Sequence, residues 1–247
     1  MAETVAIIPA RYASTRFPGK PLADRTGRPL IQHVHDRAAA ASRVDRVLVA
    51  TDDRRIADAV RKFGGTAVMT RDDHPNGTSR LAEVAAQLDE AGVVVNVQGD
   101  EPEIDPDHID AAIEALESAD DRVVTATLAA SFVDDEDPSD PNIVKVVTDQ
   151  RNRALYFSRS LIPFDRDRSG AAPLLKHIGL YVYRRPFLLE YVELSETPLE
   201  IAERLEQLRI LEHGHAIAVA TVNARHHGID TPAQYDAFVK RWNAQSR

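Results

Sequence analysis

The sequence predicts an α/β fold, with a mostly parallel central sheet flanked by helices. Two observations carry that prediction. Short apolar runs of buried-strand type alternate with segments of helical periodicity through the first half of the chain. Closely spaced strand signals then take over, so 130–185 reads as a β-rich insertion in a single domain spanning 1–247.

The elements follow in order. Val5–Ile8 and Val47–Thr51 are apolar strands, with a helix between them over Leu30–Ala41. Ile56–Phe63 is a second helix, stopped by Gly64-Gly65, and Thr66–Met69 is a short strand. Thr78 opens a helix that places Leu81, Val84, Ala85 and Leu88 on one face. Val93–Val97 is another buried strand. Asp105 caps a helix through Leu116, with Pro106 at its first position. Val123–Ala129 follows as a strand, and Asp134–Asp140 is an acidic loop. Ile143–Thr148 and Ala154–Phe157 form a hairpin, and His177–Tyr183 is a strand. Leu199–Leu211 reads as one helix, Ala216–Val222 as the last strand, and Pro232–Trp242 as a closing helix capped by Thr231.

Composition narrows the function. The net charge is −9, which speaks against a nucleic-acid binder. The first thirty residues reverse the balance, with Arg11, Arg16, Lys20, Arg25 and Arg28 against Glu3 and Asp24. A local cationic patch on an acidic protein suits a small anion. No cysteine occurs, so disulfides, thiolate metal sites and cysteine nucleophiles are excluded, and a cytoplasmic setting is expected. The N-terminus lacks a basic region and a long enough apolar run for a signal peptide. No run approaches the roughly 20 apolar residues of a membrane span.

Five segments carry chemistry. The first, Ile7–Leu22, reads I-I-P-A-R-Y-A-S-T-R-F-P-G-K-P-L. A strand end followed by a loop with Arg11, Arg16 and Lys20 can converge N–H groups and cations on a polyphosphate. It is neither a Walker A loop nor a dinucleotide fingerprint, and the same cations suit a basic surface loop. The second, V-V-V-N-V-Q-G-D-E-P over Val93–Pro102, sets Asp100 and Glu101 beyond a buried strand. Such a carboxylate can hold Mg²⁺ or sit in a solvated turn. In the third, Gly228–Pro232, Asp230 stands just before a helix, either serving its N-terminus or joining Asp100 at one metal. In the fourth, Y-F-S-R at 156–159 precedes H-I-G-L-Y at 177–181, which puts His177 and Tyr181 on one strand face. These suit a carboxylated ligand or a half-buried structural pair. The fifth, L-E-Q-L-R at 205–209, offers Glu206 and Gln207 to sugar hydroxyls or to solvent.

Taken in order from residue 7 to 232, these segments resemble the CMP-Kdo synthetase family, 3-deoxy-manno-octulosonate cytidylyltransferases. The first motif alone would indicate only a sugar-nucleotide transferase; Y-F-S-R and L-E-Q-L-R are more specific. The resemblance implies a GT-A-like nucleotidyltransferase fold and a homodimer formed through the β-rich arm. It implies transfer of CMP from CTP to Kdo (3-deoxy-D-manno-octulosonate), with release of pyrophosphate, for lipopolysaccharide assembly. Ala10, Arg11, Arg16, Lys20, Arg71 and Asp100 are the implied nucleotide contacts. Lys20, Arg16 and Asp100 are the implied catalytic residues, and Asp100 and Asp230 the implied Mg²⁺ ligands. Gln98, Arg159, His177, Tyr181, Glu206 and Gln207 are the implied lining of the Kdo pocket.

Two departures stand out. Ser79 occupies a position where the family commonly has an acidic residue, and Arg225-His226-His227 is bulkier than in relatives and reads as a surface turn. The alternatives are a cytidylyltransferase for 8-amino-Kdo or a sialic acid, a GT-A glycosyltransferase, or a non-catalytic nucleotide-binding subunit. D-E-P in place of D-x-D speaks against the glycosyltransferase.

Overall fold

The computed structural model describes residues 2–13, 15–223 and 228–245. The chain divides into two compact units, 1–110 with 226–247, and 111–225. The β-rich stretch of 130–185 falls in the second, and Arg225-His226-His227 lies outside the described residues.

In the first unit, strands β1 (Glu3–Ala10), β2 (Arg46–Thr51), β3 (Thr66–Met69) and β4 (Ala91–Asn96) pair in the order β3-β2-β1-β4, all parallel. Val5, Ala6, Ile7 and Ile8 are fully buried. A strand covered on both faces reads as a continuous apolar run, which is why the sequence revealed it. Ile7 stands opposite both Leu48 and Asn96 in this register. Because the strands are parallel, their carboxyl ends share one edge, and the loops that follow them carry the charged motifs.

Helices α1 (Leu30–Ala39), α2 (Arg54–Lys62) and α3 (Gly77–Ala85) connect these strands. Asp53 caps α2 by accepting from Arg55 N at 2.8 Å, and Asn76 caps α3 by accepting from Ser79 N at 2.9 Å. Helix α3 therefore starts one residue before Thr78. Helix α4 spans Pro106–Glu117, and Asp105 Oδ1 accepts from Asp107 N at its start.

In the second unit, β5 (Val123–Ser131) pairs antiparallel with β8 (Leu175–Arg184) and parallel with β9 (Ala216–Thr221). The hairpin of β6 (Lys145–Thr148) and β7 (Ala154–Ser158) joins through β6 to β8. Helix α5 (Arg185–Tyr191) is an element the sequence did not signal, because seven residues are too few to show a period.

The single helix expected over Leu199–Leu211 is two. Helix α6 covers Pro198–Glu203 and α7 covers Gln207–Glu212. Arg204 has φ 54° and ψ 48°, a left-handed conformation that ends α6. Glu200 and Arg209 then hold the two helices together through a buried pair, with Arg209 Nε and Nη2 each 2.7 Å from a Glu200 oxygen. A break carried by arginine leaves no glycine or proline signal to read.

Helix α8 (Pro232–Gln245) closes the first unit. Thr231 Oγ1 accepts from Gln234 N at 3.3 Å, and Gln234 Oε1 accepts from Thr231 N at 2.9 Å. This reciprocal pair is a capping box, and it confirms Thr231 as the cap. Ile229, Tyr235, Phe238 and Val239 pack with Leu30 into one buried cluster, against which Phe17 and Trp242 rest.

Candidate active site

The loop after β1 turns on Gly19, whose φ of 70° favours glycine, and continues into a single 3-10 turn, Lys20–Leu22. Gly19 N donates to Tyr12 O at 3.0 Å, which closes the loop on itself. Arg55 stacks on the Tyr12 ring at 3.3 Å and braces the loop from α2.

The loop after β4 passes close beneath it. A Cβ on Gly99 would lie 2.8 Å from Pro9 O, so only glycine fits where the two backbones meet. That contact delivers Asp100 to the cation loop. Lys20 Nζ sits 3.0 Å from Asp100 Oδ2 and 3.9 Å from Asp230 Oδ1, and it donates to Ile229 O at 2.7 Å. Ile229 N in turn donates to Asp100 O at 2.9 Å, while the Ile229 side chain is buried in the α8 cluster. Since Thr231 caps α8, the Asp230 carboxylate is left to face cations. Arg16 Nη2 approaches it at 3.0 Å.

These groups surround a cavity of about 230 Å³ whose wall includes Ala10, Arg11, Arg16, Lys20, Gln98, Asp100 and Asp230. The structure thus brings together every implied phosphate and metal residue of the first unit. Arg16 is 66% exposed, so its ion pair adds little to stability and its guanidinium stays available. Arg11 is more committed. Its Nη2 donates to His74 O at 2.8 Å and to Asn76 O at 3.0 Å, and burial followed by the nearby Arg80 charge lowers its pKa. Arg11 therefore tethers the 74–76 segment as well as lining the cavity.

Arg71 is not part of the cavity wall; its side chain is exposed beside Asp73 and Glu83. Ser79 has a local task, donating to Asn76 O at 3.0 Å and lying 3.2 Å from His74 Nδ1. His74 is in turn hydrogen-bonded to Glu83. Burial and the neighbouring Asp100 charge push the Glu101 carboxyl up to about 8, and its Oε2 has no hydrogen-bond partner among the described residues.

The residues implied for an acidic sugar, apart from Gln98, lie in the second unit. The Arg159 guanidinium is held by three carbonyls: Nε to Glu203 O at 2.7 Å, Nη1 to Pro141 O at 2.9 Å and Nη2 to Arg204 O at 3.3 Å. The break at Arg204 leaves two of these carbonyls free to accept. Glu203 also accepts from Arg159 N at 3.0 Å and from Ser158 Oγ at 2.6 Å. Lys145, fully buried, donates to Arg159 O at 2.5 Å, and burial lowers its ammonium pKa. Glu203 and Lys145 escaped sequence reading, because their link to Arg159 is made only by the fold: Glu203 accepts from Ser158 and Arg159, 45 and 44 residues away, and Lys145 reaches Arg159 O across the hairpin.

On β8, Thr127 pairs with Tyr181 while Leu128 pairs with Ile178, so Gly179 and Leu180 form a bulge. Four regular strand residues span roughly 13 Å. Here the His177 and Tyr181 ring centroids are 5.5 Å apart. Burial lowers the His177 imidazole to about 3 and raises the Tyr181 hydroxyl far above its ordinary value. Gln207 is buried, whereas Glu206 is exposed at the start of α7.

A larger cavity of about 660 Å³ lies in the second unit, beside the Ala218–Thr221 part of β9. None of the implied site residues lines it. Among the described residues no group of three or more histidine and carboxylate side chains could hold a metal, and the carboxylates the cavity wall offers are those of Asp100 and Asp230.

Known proteins resemble this chain along nearly its whole length. The cytidylyltransferase family profile matches residues 5–217. A 3-deoxy-manno-octulosonate cytidylyltransferase of Geobacter metallireducens is 52% identical over 96% of both chains. One from Syntrophotalea carbinolica is 54% identical over 92% of this chain and 93% of its own. A CMP:2-keto-3-deoxy-manno-octonic acid synthetase solved in complex with CTP is 44% identical, covers 100% of both chains and superposes with a TM-score of 0.93. The 4-diphosphocytidyl-2C-methyl-D-erythritol synthase of Anaerococcus prevotii, at 14% identity and TM-score 0.63, shares the nucleotidyltransferase fold alone. The glycosyltransferase alternative is thereby set aside. With identity above half over nearly the whole chain, and with the cation loop and its carboxylates assembled, the chain belongs to the 3-deoxy-manno-octulosonate cytidylyltransferase family.

Proposed function

We propose that the chain transfers CMP from CTP to the anomeric hydroxyl of Kdo, releasing pyrophosphate, with Mg²⁺ held between Asp100 and Asp230. The observation that carries this reading is the Lys20 ammonium, within 4 Å of both carboxylates inside the cation loop. Two hard oxygen donors that already share one cation fit a Mg²⁺ site completed by phosphate oxygens. When bound, the ion supplies charge neutralisation at the phosphoryl oxygens.

The chain's own residues supply position and charge. Attack on the α-phosphorus is in line, and catalysis rests on alignment and neutralisation rather than on covalent chemistry. Lys20 and Arg16 neutralise charge growing on the leaving pyrophosphate. Arg11 lines the phosphate cavity and braces the segment before α3. Arg159, fixed by three carbonyls, meets the carboxylate of the sugar, while His177, Tyr181 and Gln207 meet its hydroxyls. Asp100 and Asp230 are the carboxylates of the cavity wall among the described residues, and neither is assigned as a general base.

The product belongs to lipopolysaccharide assembly. The absence of cysteine is in keeping with a reducing, cytoplasmic setting, and no described helix is long and apolar enough to cross a membrane. A homodimer is supported by apolar side chains left exposed in the β-rich stretch, Leu155, Leu161 and Phe164.

Pyrophosphate release from CTP, measured with and without Kdo, tests the reaction. Release that depends on Kdo is expected; release unaffected by Kdo overturns the acceptor. Asp100→Asn should lower kcat by more than about a hundredfold while the fold survives, as expected when several kcal/mol of charge stabilisation are lost. Near-normal turnover of that variant at saturating Mg²⁺ would remove Asp100 from the metal site.

A further inference from the structure

The bulge in β8 sets the chemical state of His177. The buried Thr127 hydroxyl on β5 has three polar neighbours: Leu180 O at 2.7 Å, Ile178 O at 3.2 Å and His177 Nε2 at 2.9 Å. A hydroxyl has one proton to give, and carbonyl oxygens only accept. Two oxygens 2.7 Å apart need a proton between them. The Thr127 proton therefore goes to a bulge carbonyl, and its lone pairs face His177. Nε2 can approach those lone pairs at 2.9 Å only as an N–H donor.

We infer that Thr127 is a positioning residue that holds His177 as its Nε2–H tautomer, so that Nδ1 is presented as an acceptor to a hydroxyl of the acidic sugar. No described residue hydrogen-bonds His177 Nδ1, and it is not among the atoms sealed from solvent. The ring plane is fixed from two sides, by the edge contact with Phe157 at 5.1 Å and by Tyr181 at 5.5 Å. Burial keeps the imidazole neutral at physiological pH, so Nδ1 retains its lone pair. The result is a division of labour. The cation Arg159 serves the sugar carboxylate, and a neutral acceptor of defined direction serves a hydroxyl.

The inference rests on the reading of His177 as part of the sugar pocket, and the test separates the two. Nitrogen-15 NMR of the histidine side chains in the intact protein reports the tautomer without substrate. Protonated Nε2 and bare Nδ1 at His177 are expected; a proton on Nδ1, or on both nitrogens, overturns the inference. Thr127→Ser keeps the hydroxyl and should keep the tautomer and the kinetics. Thr127→Val should give a mixture of tautomers and raise KM for Kdo roughly five- to tenfold, the worth of one hydrogen bond, with KM for CTP unchanged. An unchanged tautomer in Thr127→Val also overturns the inference. If Thr127→Val does not fold, the wild-type spectrum and Thr127→Ser still decide the tautomer. His177→Ala supplies the separation: an unchanged KM for Kdo removes His177 from the sugar pocket, whatever its tautomer.

Discussion

Lys20 shows how one side chain organises a site before any substrate arrives. Its ammonium draws Asp100 and Asp230 to within 4 Å and bonds the carbonyl between Gly228 and Asp230, so two loops distant in sequence share one charge. His177 makes the opposite choice and stays neutral. The unfolded chain takes up a proton at His177 near pH 6.5, but the folded chain does so only near 3. Between those values the unfolded state binds more protons, so stability rises with pH there and is lost as pH falls. Urea unfolding of His177→Asn should therefore show a smaller loss of stability between pH 7 and pH 4 than the wild type. An equal loss would mean that the imidazole protonates freely in the folded protein.

Among the elements, the break between α6 and α7 carries the most consequence. A continuous helix would have used its own carbonyls along its axis. The left-handed Arg204 instead releases Glu203 O and Arg204 O to Arg159. A non-glycine residue in that conformation costs about 1 kcal/mol. Arg204→Gly should raise stability by up to about 1 kcal/mol and leave KM for Kdo unchanged, since both carbonyls remain. Arg204→Val should lower stability by about 1–2 kcal/mol and raise that KM. Neutral behaviour of the valine variant in urea unfolding would show that the left-handed turn is not maintained. The contrast with β1 and β4 is instructive. Their apolar runs announce themselves because consecutive side chains on both faces, Val5, Ala6, Ile7 and Ile8 in one and Val94 and Val95 in the other, are fully buried, whereas the break depends on hydrogen bonds to residues far away in the chain.

At the scale of the molecule, the phosphate and metal residues fall in the unit of 1–110 with 226–247, and the sugar residues other than Gln98 fall in 111–225. Hydrogen exchange should reflect this division. CTP alone should slow amides around 9–20, 98–101 and 228–231, and leave 154–184 unchanged. Protection of 154–184 by CTP alone would contradict the assignment of the two subsites. The proposed dimer is tested by sedimentation of the wild type against Phe164→Glu, since Phe164 is 87% exposed. Dissociation of the variant is expected, and a wild-type monomer at micromolar concentration would refute the dimer. By itself the sequence determined the α/β class and the family, and it marked the cation loop, Asp100 and Asp230 as candidates, because buried periodicity and clustered charge are local properties of a chain. Only the tertiary structure decided that Asp230 meets Lys20 rather than capping α8, that Arg11 also tethers the 74–76 segment, and that a bulge draws His177 beside Tyr181. Each of those outcomes depends on which backbone groups distant segments leave free to bond, and no local pattern records that.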